Sequence, residues 1–537
     1  MKIKYIFSII LFVLISSCDL DRYPLTTLSP TSFWNTEQDL RMALNNIYWY
    51  TNTGIGIHLD VQTIDAYGSN PNTVSSGTYA PPNGDDVWNR CYLEIRKANS
   101  FLENYQQAKV DDATKNRYAG EARFFRAYYY FRLVQRFGDV PYVDKTLDLA
   151  SPELFAPRTP RTEVVVKMLE DIQFAVDNIP EKSGLPSFDV GRITKGAART
   201  LQARVGLYFG TLYKFHGLGN YRDLLTLSKN AAKAVIDSKQ YTLFSDYRTL
   251  FLQAGNDNSE GIMTLRHTTE AGPGSNRARS LVFDFNCTPT KYLADAFLCS
   301  DGLPVDKSPL FEGYLPLGAE FKNRDPRMAQ TIWRPYDPNY QTPPQPFIPS
   351  FQACTRTGYM FKKYAADVMP CYTHDMMMRL GEVLVTYAEA AYELDETISD
   401  ADLDISINAL RKRFASDSDC LPDLTNDFIT SNGLNMREEI RRERRVELAV
   451  ESFRYDDLIR WKTAETELPR DILGAMLDTE IYPTVVTPLT SDGFIILQYA
   501  NTRTFDKDRD YLFPLPLLQL SLNENLTQNP KWGTNME

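Results

Sequence analysis

The stretch EARFFRAYYYFRLVQRFGDVP, residues 121–141, decides the fold. Ala119, Ala122 and Ala127 share a stripe with Tyr130 at helical spacing. Tyr128, Tyr129 and Tyr130 are consecutive, so a helix must turn them to different sides and bury at least part of that ring surface. Asp111 or Asp112 supplies an N-cap. Gly138 stops the helix and Pro141 keeps it stopped. The reading is a long helix running to Phe137.

The same pattern recurs outward in both directions. Upstream, Thr36 caps a helix over Glu37 to Tyr50. Asp85 to Gln106 carries Val87, Cys91, Ile95, Ala98 and Leu102 on one stripe. Downstream come Thr162 to Ile179, closed by Pro180, and Thr194 to Tyr213, with a second small-then-aromatic stripe at Ala197, Ala198, Ala203 and Tyr208. Further helices are expected at Tyr221 to Ser238, Met376 to Leu394, Ala401 to Phe414 and Asn435 to Glu451. Helices in hairpins imply a mainly α fold, a bundle or divergent tetratricopeptide-like repeats. No Gly/Ser linker or charge block divides them, so one domain is expected over residues 18–537. Two Gly- and Pro-rich stretches, about 51–84 and 255–358, break the helical pattern. Loops that long are usually functional or form a subdomain, so any ligand site is expected there.

The first residues set the compartment. Lys2 and Lys4 precede an apolar run from Tyr5 to Ile15, too short to span a bilayer and of signal-peptide length. Ile15-Ser16-Ser17-Cys18 resembles a bacterial lipobox, which makes residues 1–17 a cleaved signal peptide and Cys18 the lipid anchor. Beyond Cys18 no apolar run approaches membrane length. The net charge of −11 argues against nucleic acid, which requires a basic face. The six remaining cysteines form no CxxC; Cys354 and Cys371 flank a loop and could pair.

Catalytic motifs fail one by one. There is no Walker loop or GxSxG elbow, and Gly54-Ile55-Gly56 lacks the third glycine of a dinucleotide site. His58, His216, His267 and His374 are not spaced for zinc. Two aspartate ladders, Asp400/Asp402/Asp404 and Asp506/Asp508/Asp510, lack the glycine and glutamate of a calcium loop. No cofactor is implied, and a structural calcium ion stays open. The 31 Tyr and 6 Trp offer flat rings for the apolar faces of sugars. Those in or beside the irregular stretches are Tyr67, Tyr79, Trp88, Tyr292, Trp333 and Tyr336.

Several segments together resemble the SusD/RagB family of outer-membrane lipoproteins. They are Trp88-Asn89-Arg90-Cys91-Tyr92 leading to Ala98-Asn99, the 121–141 stretch, and Gly191-Arg192-Ile193-Thr194-Lys195-Gly196. Asn323-Arg324-Asp325-Pro326-Arg327, Arg379-Leu380-Gly381-Glu382 and Glu443-Arg444-Arg445-Val446-Glu447-Leu448 continue the match. Arg454-Tyr455-Asp456-Asp457, Phe513-Pro514-Leu515-Pro516 and Gln528-Asn529-Pro530 complete it. Ser452-Phe453 and Lys531-Trp532 depart from the pattern where glycine is common. The resemblance implies four tetratricopeptide-like helix pairs plus a loop-rich ligand-binding part. It implies a non-enzymatic, surface-facing lipoprotein that hands glycan, or in some members peptide, to a SusC-like TonB-dependent transporter. By position it points to Asp65, Asn70, Trp88, Tyr292 and Trp333 as ligand contacts. The Glu/Arg run at 438–447 is expected to hold neighbouring helices together. A surface glycosidase and a protein-binding repeat adaptor are the rival classes. Mass spectrometry of the mature N-terminus is expected to find an acylated Cys18; an unmodified cysteine or cleavage elsewhere would refute the anchor.

Overall fold

Capping side chains fix where the helices begin. In the computed structural model, residues 33–48, 57–269, 287–339, 344–365, 371–414 and 420–533 are described; the signal segment and Cys18 lie outside them. Helix α1 (Glu37–Tyr48) opens on Thr36, whose hydroxyl accepts from the Asp39 N–H while the Asp39 carboxylate accepts from the Thr36 N–H. This is a reciprocal capping box. Helix α2 (Asp86–Asn104) starts on Asp85 and α3 (Asp112–Phe137) on Asp111. Helix α4 (Arg161–Asn178) follows, then α5 (Lys195–His216), capped by Thr194, and α6 (Arg222–Asp237). Successive helices pack on one another from α2 to α6, and α6 packs on α8 (Leu380–Asp395), which packs on α9 (Met436–Glu447). The short α7 (Lys291–Ala296) and α10 (Arg454–Arg460) belong to the connecting part and the C-terminal side.

The deciding stretch behaves as its sequence demands. Helix α3 buries Phe124, Phe125, Tyr130, Phe131 and Phe137 among its neighbours. Gly138 ends it with φ of +74°, and a Cβ there would stand 2.9 Å from Leu512 Cδ1. The helix end is a knot of three distant segments. The Phe513 N–H donates to the Arg136 carbonyl, and the Arg136 guanidinium lies 3.7 Å from the Phe513 ring centre. The Asn529 amide donates to the carbonyls of Phe137 (3.0 Å) and Phe513 (2.7 Å).

Three helical expectations are revised. Met376 to Arg379 is not helical: Asp375–Arg379 is strand β4, antiparallel to β2 (Gly261–Leu265), and α8 begins only at Leu380. That pairing spans over a hundred residues and leaves no local signal. The helix expected over Ala401 to Phe414 breaks at Ser406 (φ −126°, ψ −93°) into short pieces. Helix α9 stops at Glu447, and Val450 and Ser452 turn into the left-handed region. The other strands are brief: β1 (Ala66–Tyr67) pairs with β3 (Thr288–Pro289), and β5 (Ile472–Met476) with β6 (Phe494–Gln498).

Two cores result. One fills the helical array; the other lies under the irregular part and includes Phe251, Phe297, Trp333, Tyr359 and Phe361. Buried ion pairs join them. Glu443, Glu447 and Glu451 stand four residues apart, two on α9 and one just beyond it. Arg327 bonds Glu443 (2.9 Å) and Glu447 (3.2 Å). Arg379 bonds Glu447 (2.7 Å), Glu260 (2.8 Å) and Glu451 (2.6 Å). Arg411 bonds Glu443 (2.6 Å), Arg413 bonds Glu260 (2.9 Å) and Lys363 bonds Glu451 (2.8 Å). The carboxylates of Glu260, Asp325, Glu443, Glu447 and Glu451 balance Arg327, Lys363, Arg379, Arg411 and Arg413 one for one. Gly381 is glycine because a Cβ there would meet Arg379 Nη1 at 2.0 Å. Replacing Glu447 by Ala removes a carboxylate that three arginines share, leaves one buried positive charge uncompensated and is expected to cost at least about 3 kcal/mol in chemical denaturation. Glu438→Ala, on the exposed side of α9, should stay within about 0.5 kcal/mol.

Candidate functional site

The irregular part presents the Tyr336 ring to solvent, and its backbone dictates how. An isolated bridge between Ile332 and Phe361 sets Trp333 against Met360, whose carbonyl accepts from the Trp333 N–H at 2.9 Å. The chain then turns back on itself. The Tyr336 N–H donates to the Phe347 carbonyl (2.7 Å) and the Phe347 N–H to the Asp337 carbonyl (2.8 Å). Tyr336 sits in the left-handed region at φ +71° and is 53% exposed. Phe347 also borders a cavity of about 310 Å³, lined by Trp333, Asn339, Gln345, Ile348 and Met360 among others. Lys362 Nζ stands 4.9 Å from the Trp333 ring centre.

Two rings extend this face. Phe351 meets Tyr482 edge-on, 4.7 Å between centroids at 87°. Tyr482 belongs to the long connection between β5 and β6. Burial, then the neighbouring Tyr336 phenol, push its own phenol up to about 12. A polar edge lies alongside. Arg356 donates to the Ser69 carbonyl, which ties exposed Asn70 to the loop that carries Phe351. Arg334 pairs with Asp337 at 2.8 Å. Rings for stacking beside a few fixed donors and acceptors are the usual makeup of a polar-ligand site.

The sequence-expected residues do not all meet here. Trp333 and Asn70 do. Trp333 is 6% exposed, so it forms the floor of the cavity rather than an open platform. Tyr292, on α7, is half-buried: its hydroxyl donates to the Asp471 carbonyl (2.9 Å), and Arg470 lies 4.5 Å from its ring centre. Asp65 shares the β1–β3 unit with Tyr292 but turns inward. Arg445 Nε donates to it at 2.8 Å and Arg454 lies at 3.5 Å. Burial alone would raise the Asp65 carboxyl; the two arginines hold it below its ordinary value. Trp88 lies in the helical core, 5% exposed, against Tyr92 (5.0 Å) and Phe137 (5.3 Å). Tyr79 packs on Phe513 and Trp532. Phe351 and Tyr482 were missed. Tyr482 lies outside the two irregular stretches, and its only sequence signal is an apolar, Pro-containing run that fits no helix.

The other sequence candidates acquire protein partners. In one aspartate ladder Lys531 Nζ bonds Asp508 (2.8 Å) and Asp506 (3.2 Å). In the other, Asp400 accepts from Asn426, Asp402 from Ser399, and Asp404 from Asn408. Cys354 and Cys371 form no disulfide. Among the described residues no helix is long and apolar enough to cross a membrane.

Comparison with known proteins agrees with the fold. Residues 256–532 match a family model described as the SusD family, and residues 40–207 one described as "Starch-binding associating with outer membrane". The chain is 26% identical to SusD-like protein P2 of Formosa agariphila, covering 98% of this chain and 99% of that one. It is 23% identical to a SusD-like protein of Bacteroides ovatus, covering 84% and 80%. Among solved structures, a SusD-like carbohydrate binding protein from Bacteroides fragilis superposes with a TM-score of 0.77 at 23% identity, over 92% of this chain and all of that one. A laminarin binding SusD-like protein superposes with a TM-score of 0.63 at 20% identity, over 93% and 100%.

Asp60 beside Asp65 yields a pH prediction. Burial, then the Asp65 charge, raise the Asp60 carboxyl to about 8. It therefore binds a proton in the folded chain between about pH 4 and 8 that the unfolded chain releases, and its contribution to stability falls as pH rises through that window. Asp60→Asn, which mimics the neutral acid, should stabilise the protein at pH 7 by more than about 1 kcal/mol. The gain should vanish near pH 4 in urea titrations.

Proposed function

Because the chain belongs to the SusD family, we propose that it is a non-catalytic, glycan-binding lipoprotein of the bacterial outer membrane. Cys18 carries the lipid anchor, and the body faces outward to capture oligosaccharide or polysaccharide and hand it to a SusC-like TonB-dependent transporter. The observation that carries the binding role is exposed Tyr336 with the half-buried Phe351–Tyr482 pair near it, beside the Trp333 cavity. A sugar ring stacks its C–H face on such rings, while its hydroxyls meet Asn70, Arg334 and Asp337. The names borne by relatives, a laminarin binding protein and a carbohydrate binding protein, support the same ligand class.

The face assigns different work to different residues. Tyr336 and Tyr482 offer ring surface to ligand. Trp333 shapes the cavity floor, and its removal would open the second core. Asp65 and Tyr292 are engaged by Arg445 and the Asp471 carbonyl, and Trp88 packs the helical core.

The mature protein should be retarded in affinity gels containing its polysaccharide and release no reducing sugar from it. Tyr336→Ala and Tyr482→Ala are each expected to weaken glycan binding at least about tenfold, a loss of about 1.4 kcal/mol. Neither should move the thermal midpoint by more than a few degrees. Trp333→Ala should cost about 3 kcal/mol of stability as well, because its ring is buried. Unchanged affinity in both tyrosine variants would remove this face as the glycan site, and binding of peptide instead of glycan would change the ligand class.

A further inference from the structure

The outward side of α9 carries Glu438, Arg441, Arg442 and Arg445 at the i, i+3, i+4 and i+7 spacing of one helix face. Across from it stand Arg454, on α10, and Thr463 and Glu467 just beyond that helix. Together with Trp461 these residues line a part-open cavity of about 300 Å³. Two of its arginines are hydrogen-bonded: Arg442 Nε donates to Glu439 (3.1 Å) and Arg445 Nε to Asp65 (2.8 Å).

The other two are not. Among the described residues Arg441 and Arg454 make no hydrogen bond, and Arg441 Nε, Arg441 Nη2, Arg454 Nε and the Thr463 hydroxyl are buried without a partner. Glu393 stands 3.8 Å from Arg441, but Lys214 (2.7 Å) and Arg437 (2.8 Å) already bond it. Arg454 lies 3.5 Å from Asp65, both of whose oxygens Arg445 engages, and 3.9 Å from Glu467. The two guanidiniums converge: both lie over the Trp461 ring, 4.5 and 5.9 Å from its centre. Their side chains keep 18% and 11% of their surface open. Burial holds both below the ordinary arginine pKa, whereas at Arg445 the Asp65 charge outweighs burial. Buried donors in native proteins are nearly always paired, so four beside one cavity point to acceptor oxygens supplied from outside.

We propose that this cavity binds a tetrahedral oxyanion with two negative charges, phosphate or sulfate, as the free ion or as a phosphate monoester, between Arg441 and Arg454. Two guanidiniums without hydrogen bonds match a dianion in charge, and their forked N–H groups match its oxygens in geometry. A carboxylate brings one charge and two oxygens and leaves part of that donor set unmet. Trp461 is 4% exposed and holds Arg441 without using its N–H groups, so no open ring invites a neutral sugar. Glu438 and Glu467 also line the cavity and repel an anion, which makes exposed Glu438 a gauge of the bound charge. The site shares no residue with the aromatic loop face, and the inference does not rest on the glycan reading.

Calorimetric titration of the intact mature chain tests it with inorganic phosphate, sulfate, acetate and glucose 6-phosphate, all at one ionic strength so that screening stays constant. Phosphate and sulfate should bind at least about tenfold more tightly than acetate. Glucose 6-phosphate binding as tightly as phosphate assigns the site to esters as well; binding of the inorganic ions alone assigns it to the free ion, and either result upholds the oxyanion site. Arg441→Gln and Arg454→Gln should each weaken phosphate at least about tenfold. Arg470→Gln, which removes a half-exposed arginine outside the lining, and Tyr336→Ala should leave it unchanged. Glu438→Gln, a change on the exposed helix face that does not threaten folding, should tighten phosphate several-fold. No heat with phosphate or sulfate, acetate binding as tightly as either, phosphate affinity unchanged in Glu438→Gln, or Arg470→Gln weakening phosphate as much as Arg441→Gln would each overturn the proposal.

Discussion

Glu447 is the carboxylate on which the two halves of the molecule meet. It accepts from Arg327 and Arg379 and stands 3.2 Å from Arg413, all of them buried. Burial alone would raise its carboxyl; those arginines hold it far below the carboxylate range. In a low-dielectric interior no member of such a set can leave without stranding the others, so the network is satisfied in one arrangement of its elements. Arg327 comes from the central irregular part, Arg379 from β4, and Glu447 from the last turn of α9. Their mutual pairing therefore fixes how the loop-rich part sits on the helical scaffold.

The proposed ligand face hangs from this network by short lengths of chain. Arg327 lies six residues before Trp333, in the short helix Pro326–Thr331. Lys363, whose ammonium bonds Glu451 and the carbonyl of Ala449, directly follows Lys362, which lies over the Trp333 ring. The bridge between Ile332 and Phe361 joins these two anchored strands. The cavity floor is thus held at both edges by buried ion pairs, and the exposed rings are built forward from it. A platform set this rigidly can stack a sugar without first ordering its own backbone, which lowers the entropic cost of binding.

The scaffold was far more legible in the sequence than the face. Thr36, Asp85, Asp111 and Thr194 announce helix starts because capping is local chemistry between residues two or three apart. Gly138 and Pro141 mark an end for the same reason. Strand β4 was read as helix because its partner β2 lies more than a hundred residues away. Trp88 and Asp65 were placed at the ligand by position in the chain, yet what a ring or carboxylate does depends on its neighbours. Phe137 and Tyr92 enclose the one, and Arg445 and Arg454 neutralise the other. Tyr482 could not be found from a local pattern, since only the β5–β6 pairing brings it to Tyr336. The Glu/Arg run at 438–447 was visible, and its role in holding neighbouring helices was expected. That it reaches into the irregular part was not, because Arg327 and Lys363 come from segments without helical periodicity.

The contrast between the two kinds of aromatic residue explains how one chain serves both needs. Trp333, Phe347 and Tyr359 lie within the second core, where burying such rings is the main favourable term in folding. Tyr336 gains little of that, since about half of its surface stays in water. Its left-handed backbone, unusual for a bulky residue, adds strain that folding alone would not select. A residue that contributes little to folding, and is held strained in front of a cavity, is retained for what it meets from outside. The buried network makes that arrangement tolerable. Its ion pairs add little net stability over an apolar packing of the same volume, but they admit one register between scaffold and loops. Position, rather than stability, is what the exposed rings require.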